Sequence, residues 1–149
     1  MSKIERTSAV GLFNYARSYW RSGEHLLAAK LKLTHAYAPV VFLLSHAIEL
    51  YLKAFLLSRG LSVKKLRGVG HKVIDLGHEA SARGLSVSAE DFEVLSSLGE
   101  INAVIRFRYL ETGFLSMPTE AALSETCKRL DPSIALALHE AGELVRLAK

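Results

Sequence analysis

The chain has 149 residues, a formal net charge of +4, and hydrophobic residues at 50% of its positions. This composition excludes a disordered chain, and the length predicts one domain whose core needs neither disulfides nor metal. The single cysteine, Cys127, excludes an intramolecular disulfide, and no activating partner lies near it in sequence. Because residues 1–18 lack the apolar run of a secretory signal, we expect a cytoplasmic protein.

The first helix is predicted over residues 6–33, where apolar residues recur at steps of three and four. Its other face carries Arg17, Arg21 and His25, which we interpret as a solvated face rather than a functional patch. The connection at residues 34–38 is short, which predicts an antiparallel hairpin with the helix that follows.

Residues 38–59 form the most apolar stretch and predict one long helix. Its length alone would suit a membrane span. However, His46, Glu49 and Lys53 line one face, and each side chain that is charged near the middle of a span costs about 2.5 to 3.5 kcal/mol. We therefore predict a buried central helix and no membrane partner.

The pentapeptide Arg-Gly-Leu-Ser-Val occurs twice, at residues 59–63 and 83–87, but the flanking sequences differ. We interpret both copies as helix ends in which Gly60 and Gly84 take the left-handed conformation and the next leucine folds back onto the helix. Between them we predict a loop containing glycines and a helix over residues 71–83. Several basic residues gather around this loop, namely Lys64, Lys65, Arg67 and Lys72.

A further helix is predicted to begin at Ser88, with Asp91 three residues later as in a capping box. It carries Arg106 and Tyr109 on a polar line and is expected to end near Gly113.

The C-terminal part is predicted to be helical over residues 119–130 and 132–147, because Asp131 and Pro132 can cap and start a helix. A single helix kinked at Pro132 is the alternative. No segment shows the alternation of a strand. The fold class is therefore predicted to be all-α, an up-and-down bundle of five or six helices around a long buried central helix.

A metal site is not predicted. His71, Asp75 and His78 share one helix face, but zinc sites on one short helix normally need ligands from elsewhere. The sequence also lacks a phosphate-binding glycine loop, the turn that carries a hydrolase serine, and paired cysteines. No cofactor is expected.

Glu49 precedes Lys53 by four residues, the favourable order for an ion pair within a helix. A buried Glu49 also needs a cation from another helix, and Arg106 or Arg108 is the expected partner. We interpret the resulting cluster as a clamp between helices rather than the floor of a functional site. Its members are Glu49, Lys53, Arg106 and Tyr109.

Three segments resemble the HEPN superfamily of helical domains. They are residues 43–56, which contain the motif from Glu49 to Ala54, residues 70–76, and Asn102 together with residues 106–109. The resemblance implies a bundle of four or five helices, commonly dimeric. It also implies a role in defence, toxin-antitoxin or nucleotidyltransferase-linked systems that bind nucleotides or RNA.

This chain departs from the HEPN pattern in one respect. Ribonuclease members carry an arginine followed by a histidine with four to six residues between them, and no arginine here is followed by a histidine at that spacing. The resemblance therefore implies the fold and the class of partner, and it does not imply ribonuclease activity.

The leading hypothesis from the sequence is a non-catalytic HEPN-like domain that forms a homodimer and binds a nucleotide or nucleic acid. Clustered positive charge attracts phosphate, so the expected binding residues are Lys64, Lys65, Arg67, Lys72, Arg106 and Arg108. One alternative is a metal-independent ribonuclease with an atypical site, built from Arg106, Tyr109 and either His71 or His46. The other is a structural dimerisation module that meets a protein partner.

Overall fold

The structure, a computed structural model, describes residues 6–101 and 117–143. Within these ranges it contains six helices and no strand, which confirms the predicted all-α class with a long central helix. The helices are α1 (Ala9–Ala29), α2 (Tyr37–Ser58), α3 (Val63–Val69), α4 (Val73–Ala82), α5 (Ala89–Ile101) and α6 (Glu120–Glu140).

The central helix α2 packs against α1, α4 and α6. Its bounds lie within one residue of the prediction, and Leu44, Ile48 and Leu52 are completely buried. Among the described helices, α2 is the one long and apolar enough to cross a membrane, and 67% of its most apolar window is buried inside the protein. Packing on several sides explains why this helix is apolar around most of its circumference.

Helix α1 begins where Ser8 accepts a hydrogen bond from the Gly11 amide, at 3.0 Å. It ends at Ala29, four residues before the predicted end, because Lys30 takes a left-handed conformation with φ of 48°. The apolar periodicity continues into Leu31 and Leu33, but these side chains are exposed. The helical spacing of apolar residues therefore continues in the sequence beyond the residue at which α1 ends.

The two copies of the pentapeptide end α2 and α4 as predicted. Gly60 and Gly84 have φ of 88° and 101°. The amide of Leu61 donates to the Leu56 carbonyl at 3.0 Å, and Leu85 makes the equivalent bond. Both leucines are buried, so each copy closes a helix and adds an apolar contact.

The predicted loop before α4 contains a short helix, α3, and the prediction of a loop there was wrong. Ser62 caps α3 by accepting from the Lys65 amide at 3.2 Å, and Leu66 is buried beneath it. Helix α4 begins at Val73, two residues later than predicted. His71 therefore lies in the connection between two helices rather than in the first turn of one.

Helix α5 begins as predicted, since the amide of Asp91 donates to Ser88 Oγ at 3.1 Å. The expected continuation of this helix to Gly113 lies outside the described residues. So do Arg106, Arg108 and Tyr109, and their predicted roles stay predictions.

The C-terminal helix α6 runs as one helix through Pro132, so the prediction of two helices was wrong and the alternative of a single helix is confirmed. Asp131 does not cap a new helix, because its buried carboxylate bonds to Arg17 and Tyr51 on other helices. Leu130 and Ile134, on either side of the proline, are buried in the core. Packing across this point maintains the helix although proline lacks an amide hydrogen.

Candidate functional site

Glu49 lies on α2 with its side chain almost completely buried. Its Oε1 accepts a hydrogen bond from Lys53 Nζ at 2.7 Å, which confirms the predicted pair within the helix. The same oxygen lies 2.7 Å from Nδ1 of His71. Among the described residues, the partner that Glu49 finds elsewhere in the chain is thus His71. We name Glu49, Lys53, His71 and the adjacent His46 the Glu49 cluster.

The hydrogen bond to Glu49 determines the tautomer of His71. A carboxylate can only accept, so Nδ1 carries the hydrogen and donates it to Oε1. In the neutral imidazole Nε2 is then the acceptor nitrogen. The His71 side chain is 49% exposed, so a ligand at the surface can reach the ring while Glu49 holds it from below.

His46 lies one turn before Glu49, and its Nδ1 is 4.0 Å from Glu49 Oε2. The ring makes an edge contact with Tyr19 at a centroid distance of 4.6 Å and stacks on Phe42 at 6.1 Å. Burial lowers the pKa of His46, and Lys53 and His71 add to this effect while Glu49 opposes it. His46 is therefore the packed member of the Glu49 cluster, and its lowered pKa favours the neutral imidazole.

A basic surface lies next to His71. Lys64, Lys65 and Arg67 project from α3, and Lys72 lies in the turn before α4. All four side chains are exposed, and none makes an ion pair with a described residue. Because Leu66 anchors α3 to the core, the charged side chains point outward. We name these four residues the α3 basic surface.

The structure therefore brings together part of the predicted site. His71 joins Glu49 and Lys53 to the edge of the α3 basic surface. The contribution of Arg106, Arg108 and Tyr109 to the predicted cluster lies outside the described residues. The contact between Glu49 and His71 could not be predicted from the sequence, because the two residues belong to different elements and a separation of 22 positions is not a spacing within one helix face.

A second buried carboxylate, Asp131, lies elsewhere in the core. It accepts two bonds from Arg17, at 2.9 and 2.8 Å, and one from the Tyr51 hydroxyl at 2.6 Å. Burial and the bond to Asp131 raise the pKa of Tyr51 far above its ordinary range, and the bond to Asp131 raises that of Arg17. This network joins α1, α2 and α6.

The interpretation of Arg17 as part of a solvated face was wrong, because only 14% of its side chain is exposed and it binds Asp131. Arg21 and His25, from the same predicted face, are exposed. Basic residues have the same spacing on a helix face that meets solvent and on one that packs against an acidic residue of another helix. Only the position of α6 distinguishes them.

A third buried carboxylate, Asp91, joins α5 to α6. It accepts bonds from Thr126 Oγ1 at 2.9 Å and from Arg129, whose Nη2 lies at 2.6 Å. Burial opposes ionisation, but the bonds from Arg129 and Thr126 outweigh it and hold the pKa of Asp91 below its ordinary value. Arg129 is 41% exposed, so this contact lies at the surface of the bundle.

Other candidates from the sequence separate in the fold. His71 binds Glu49, and His78 stacks on Phe92 at a centroid distance of 5.0 Å. In the described ranges, no three histidine, cysteine or acidic side chains form a group suited to a metal ion. Cys127 is completely buried, and burial raises the pKa of its thiol well above the ordinary value. A thiol in that state is a poor nucleophile.

No protein-family model, curated protein or solved structure is significantly similar to this chain.

Proposed function

We propose that this chain is a cytoplasmic HEPN-like domain that dimerises and binds RNA or nucleotide phosphates through the α3 basic surface. The observation that carries the proposal is the presence of four exposed cations without ion-pair partners among the described residues, all between residues 64 and 72. Such cations attract phosphate and release counterions when they bind it. Arg106 and Arg108 extend the proposed surface on the basis of the sequence.

Two further features support this proposal. The helical bundle with a long central helix is compatible with the fold that the HEPN resemblance implies. The motif from Glu49 to Ala54, which carries much of that resemblance, lies on the central helix and contacts His71 at the edge of the basic surface. An accessory role in a toxin-antitoxin or defence system follows from the same resemblance.

Salt dependence of RNA binding tests the proposal. We expect the wild-type protein to bind a fluorescently labelled single-stranded RNA less tightly as salt rises. The triple variant Lys64→Ala, Lys65→Ala, Arg67→Ala should lower the slope of log affinity against log salt by about 2, at about 0.7 per phosphate contact. Fluorescence anisotropy between low and physiological salt measures both slopes.

A matched control removes the same charge elsewhere. The triple variant Arg21→Ala, Lys32→Ala, Lys128→Ala alters three exposed cations outside the α3 basic surface. It should retain most of the wild-type slope. Equal slopes for the two triple variants, or no binding by the wild-type protein at low salt, would contradict the proposal.

A second candidate function, metal-independent cleavage of RNA, is favoured by one observation. Glu49 orients a half-exposed His71 and leaves Nε2 as an acceptor beside the basic surface. A histidine held in one tautomer by a carboxylate is the arrangement that general-base catalysis uses. In this hypothesis Nε2 takes the proton of the ribose 2′-hydroxyl, and the resulting oxygen attacks phosphorus. The bond to the leaving oxygen breaks, and that oxygen takes a proton from solvent.

The cleavage hypothesis predicts that RNA incubated with the protein and a chelator is cut to products with cyclic phosphate ends. His71→Ala should slow cleavage by about 100-fold or more, the usual contribution of a general base. His78→Ala is the control, because His78 is an exposed histidine of α4 that packs on Phe92. Intact RNA with the wild-type protein, or equal rates for the two variants, would reject the hypothesis.

A further inference from the structure

An apolar surface lies at the corner where α1 ends and α2 begins. Leu31 and Leu33 are 48% and 57% exposed, and Tyr37 is 44% exposed. They border a cavity of about 230 Å³ whose walls include Leu26 and Val40. We name this region the α1–α2 corner.

The size of the cavity suits protein side chains. At about 230 Å³, it is smaller than the pockets of about 300 to 1,000 Å³ that hold drug-sized ligands. Its lining is predominantly aliphatic, so it would accept an aliphatic side chain. The exposed leucines beside it are side chains of that kind.

The corner is complementary to itself. A two-fold interface needs the same surface to supply both the protruding groups and the pocket that receives them, and here the two lie side by side. The rim also carries Lys30 and Glu120, which have opposite charges and no ion-pair partner among the described residues. In a two-fold pairing through the corner, Lys30 of each copy would meet the oppositely charged Glu120 of the other.

We propose that two copies of this chain associate through the α1–α2 corner, with Leu31 and Leu33 of each copy against the cavity of the other. The inference rests on the dimerisation in the proposed function and identifies the surface responsible. The corner lies at the N-terminal end of α2 and α3 follows the C-terminal end, so this interface leaves the α3 basic surface uncovered and both copies able to bind RNA.

Light scattering after size-exclusion chromatography, over a range of concentrations, tests the interface. The wild-type protein should be a dimer, and Leu33→Glu should raise the dimer dissociation constant at least tenfold. Leu136→Glu is the matched control, because Leu136 on α6 is similarly exposed, at 53%, and lies outside the corner. A monomeric wild-type protein, or a variant Leu33→Glu as dimeric as Leu136→Glu, would overturn the proposal.

Reversal of charge provides a second test that does not depend on the leucines. Glu120→Lys should weaken the dimer, and the double variant Lys30→Glu, Glu120→Lys should restore it. Failure of the double variant to restore the dimer, with its helicity intact by circular dichroism, would exclude the two-fold pairing.

RNA binding by the same variants separates this inference from the proposed function. Leu33→Glu should bind RNA with its salt slope per chain unchanged, and the basic-surface triple variant should remain dimeric. A dimer that does not bind RNA would reject the proposed function and retain the interface. A monomer that binds RNA would reject the interface and the dimerisation, and would retain the RNA binding of the proposed function.

Discussion

Asp131→Ala should lower the free energy of unfolding by about 3 to 5 kcal/mol, the usual cost of removing one partner of a buried ion pair. The variant leaves the Arg17 guanidinium, of which only 14% is exposed, without its carboxylate. It also leaves the buried Tyr51 hydroxyl without its acceptor. Urea unfolding followed by circular dichroism at neutral pH measures the loss.

Two further variants show whether the loss comes from unpaired polar groups rather than from a cavity. Asp131→Asn retains an acceptor for Tyr51 and should cost less than Asp131→Ala. The triple variant Arg17→Met, Tyr51→Phe, Asp131→Leu removes the three polar members among the described residues and should recover part of the stability. A cost below about 1 kcal/mol for Asp131→Ala would show that the network does not stabilise the fold.

Glu49→Ala should lower the free energy of unfolding by about 2 to 3 kcal/mol, less than Asp131→Ala because two of its partners reach solvent. The side chains of Lys53 and His71 are 17% and 49% exposed, so water partly replaces the lost carboxylate. The same urea measurement, compared with wild type, gives the difference.

Glu49→Gln distinguishes a clamp between helices from a functional site. The amide retains the size of the side chain and one acceptor oxygen, so the loss of stability should be smaller than for alanine. If Glu49 acts only as a clamp, RNA binding and any RNA cleavage by this variant should equal those of wild type. Loss of cleavage with the stability retained would show instead that Glu49 positions His71 for chemistry. A cost below about 0.5 kcal/mol for Glu49→Ala would contradict the clamp.

Features encoded within one or two helical turns could be predicted from the sequence. The central helix α2 was predicted within one residue at each end, because its apolar content and the Gly60 signal are local. The start of α5 at Ser88 was predicted for the same reason. The end of α1 was not, because Leu31 continues the apolar spacing beyond the point where Lys30 turns the backbone.

The candidate site could be predicted only in part. The pair of Glu49 and Lys53 follows from a spacing of four residues and was confirmed. The approach of His71 to Glu49 depends on how α3 and the turn after it fold back onto α2. A capping interpretation of Asp131 failed because an aspartate before a proline has the same sequence signature whether it caps a helix or lies inside one.

The sequence by itself therefore determined the helical class, the central place of α2 and the glycine-dependent ends of α2 and α4. Only the tertiary structure decided which side chain meets each buried carboxylate. Asp131 pairs with Arg17 across 114 positions and with Tyr51 across 80, and Glu49 meets His71 across 22. The physical reason is that hydrophobic period and capping act over a few residues, whereas a buried charge is stabilised by whichever partner the packing of helices places beside it.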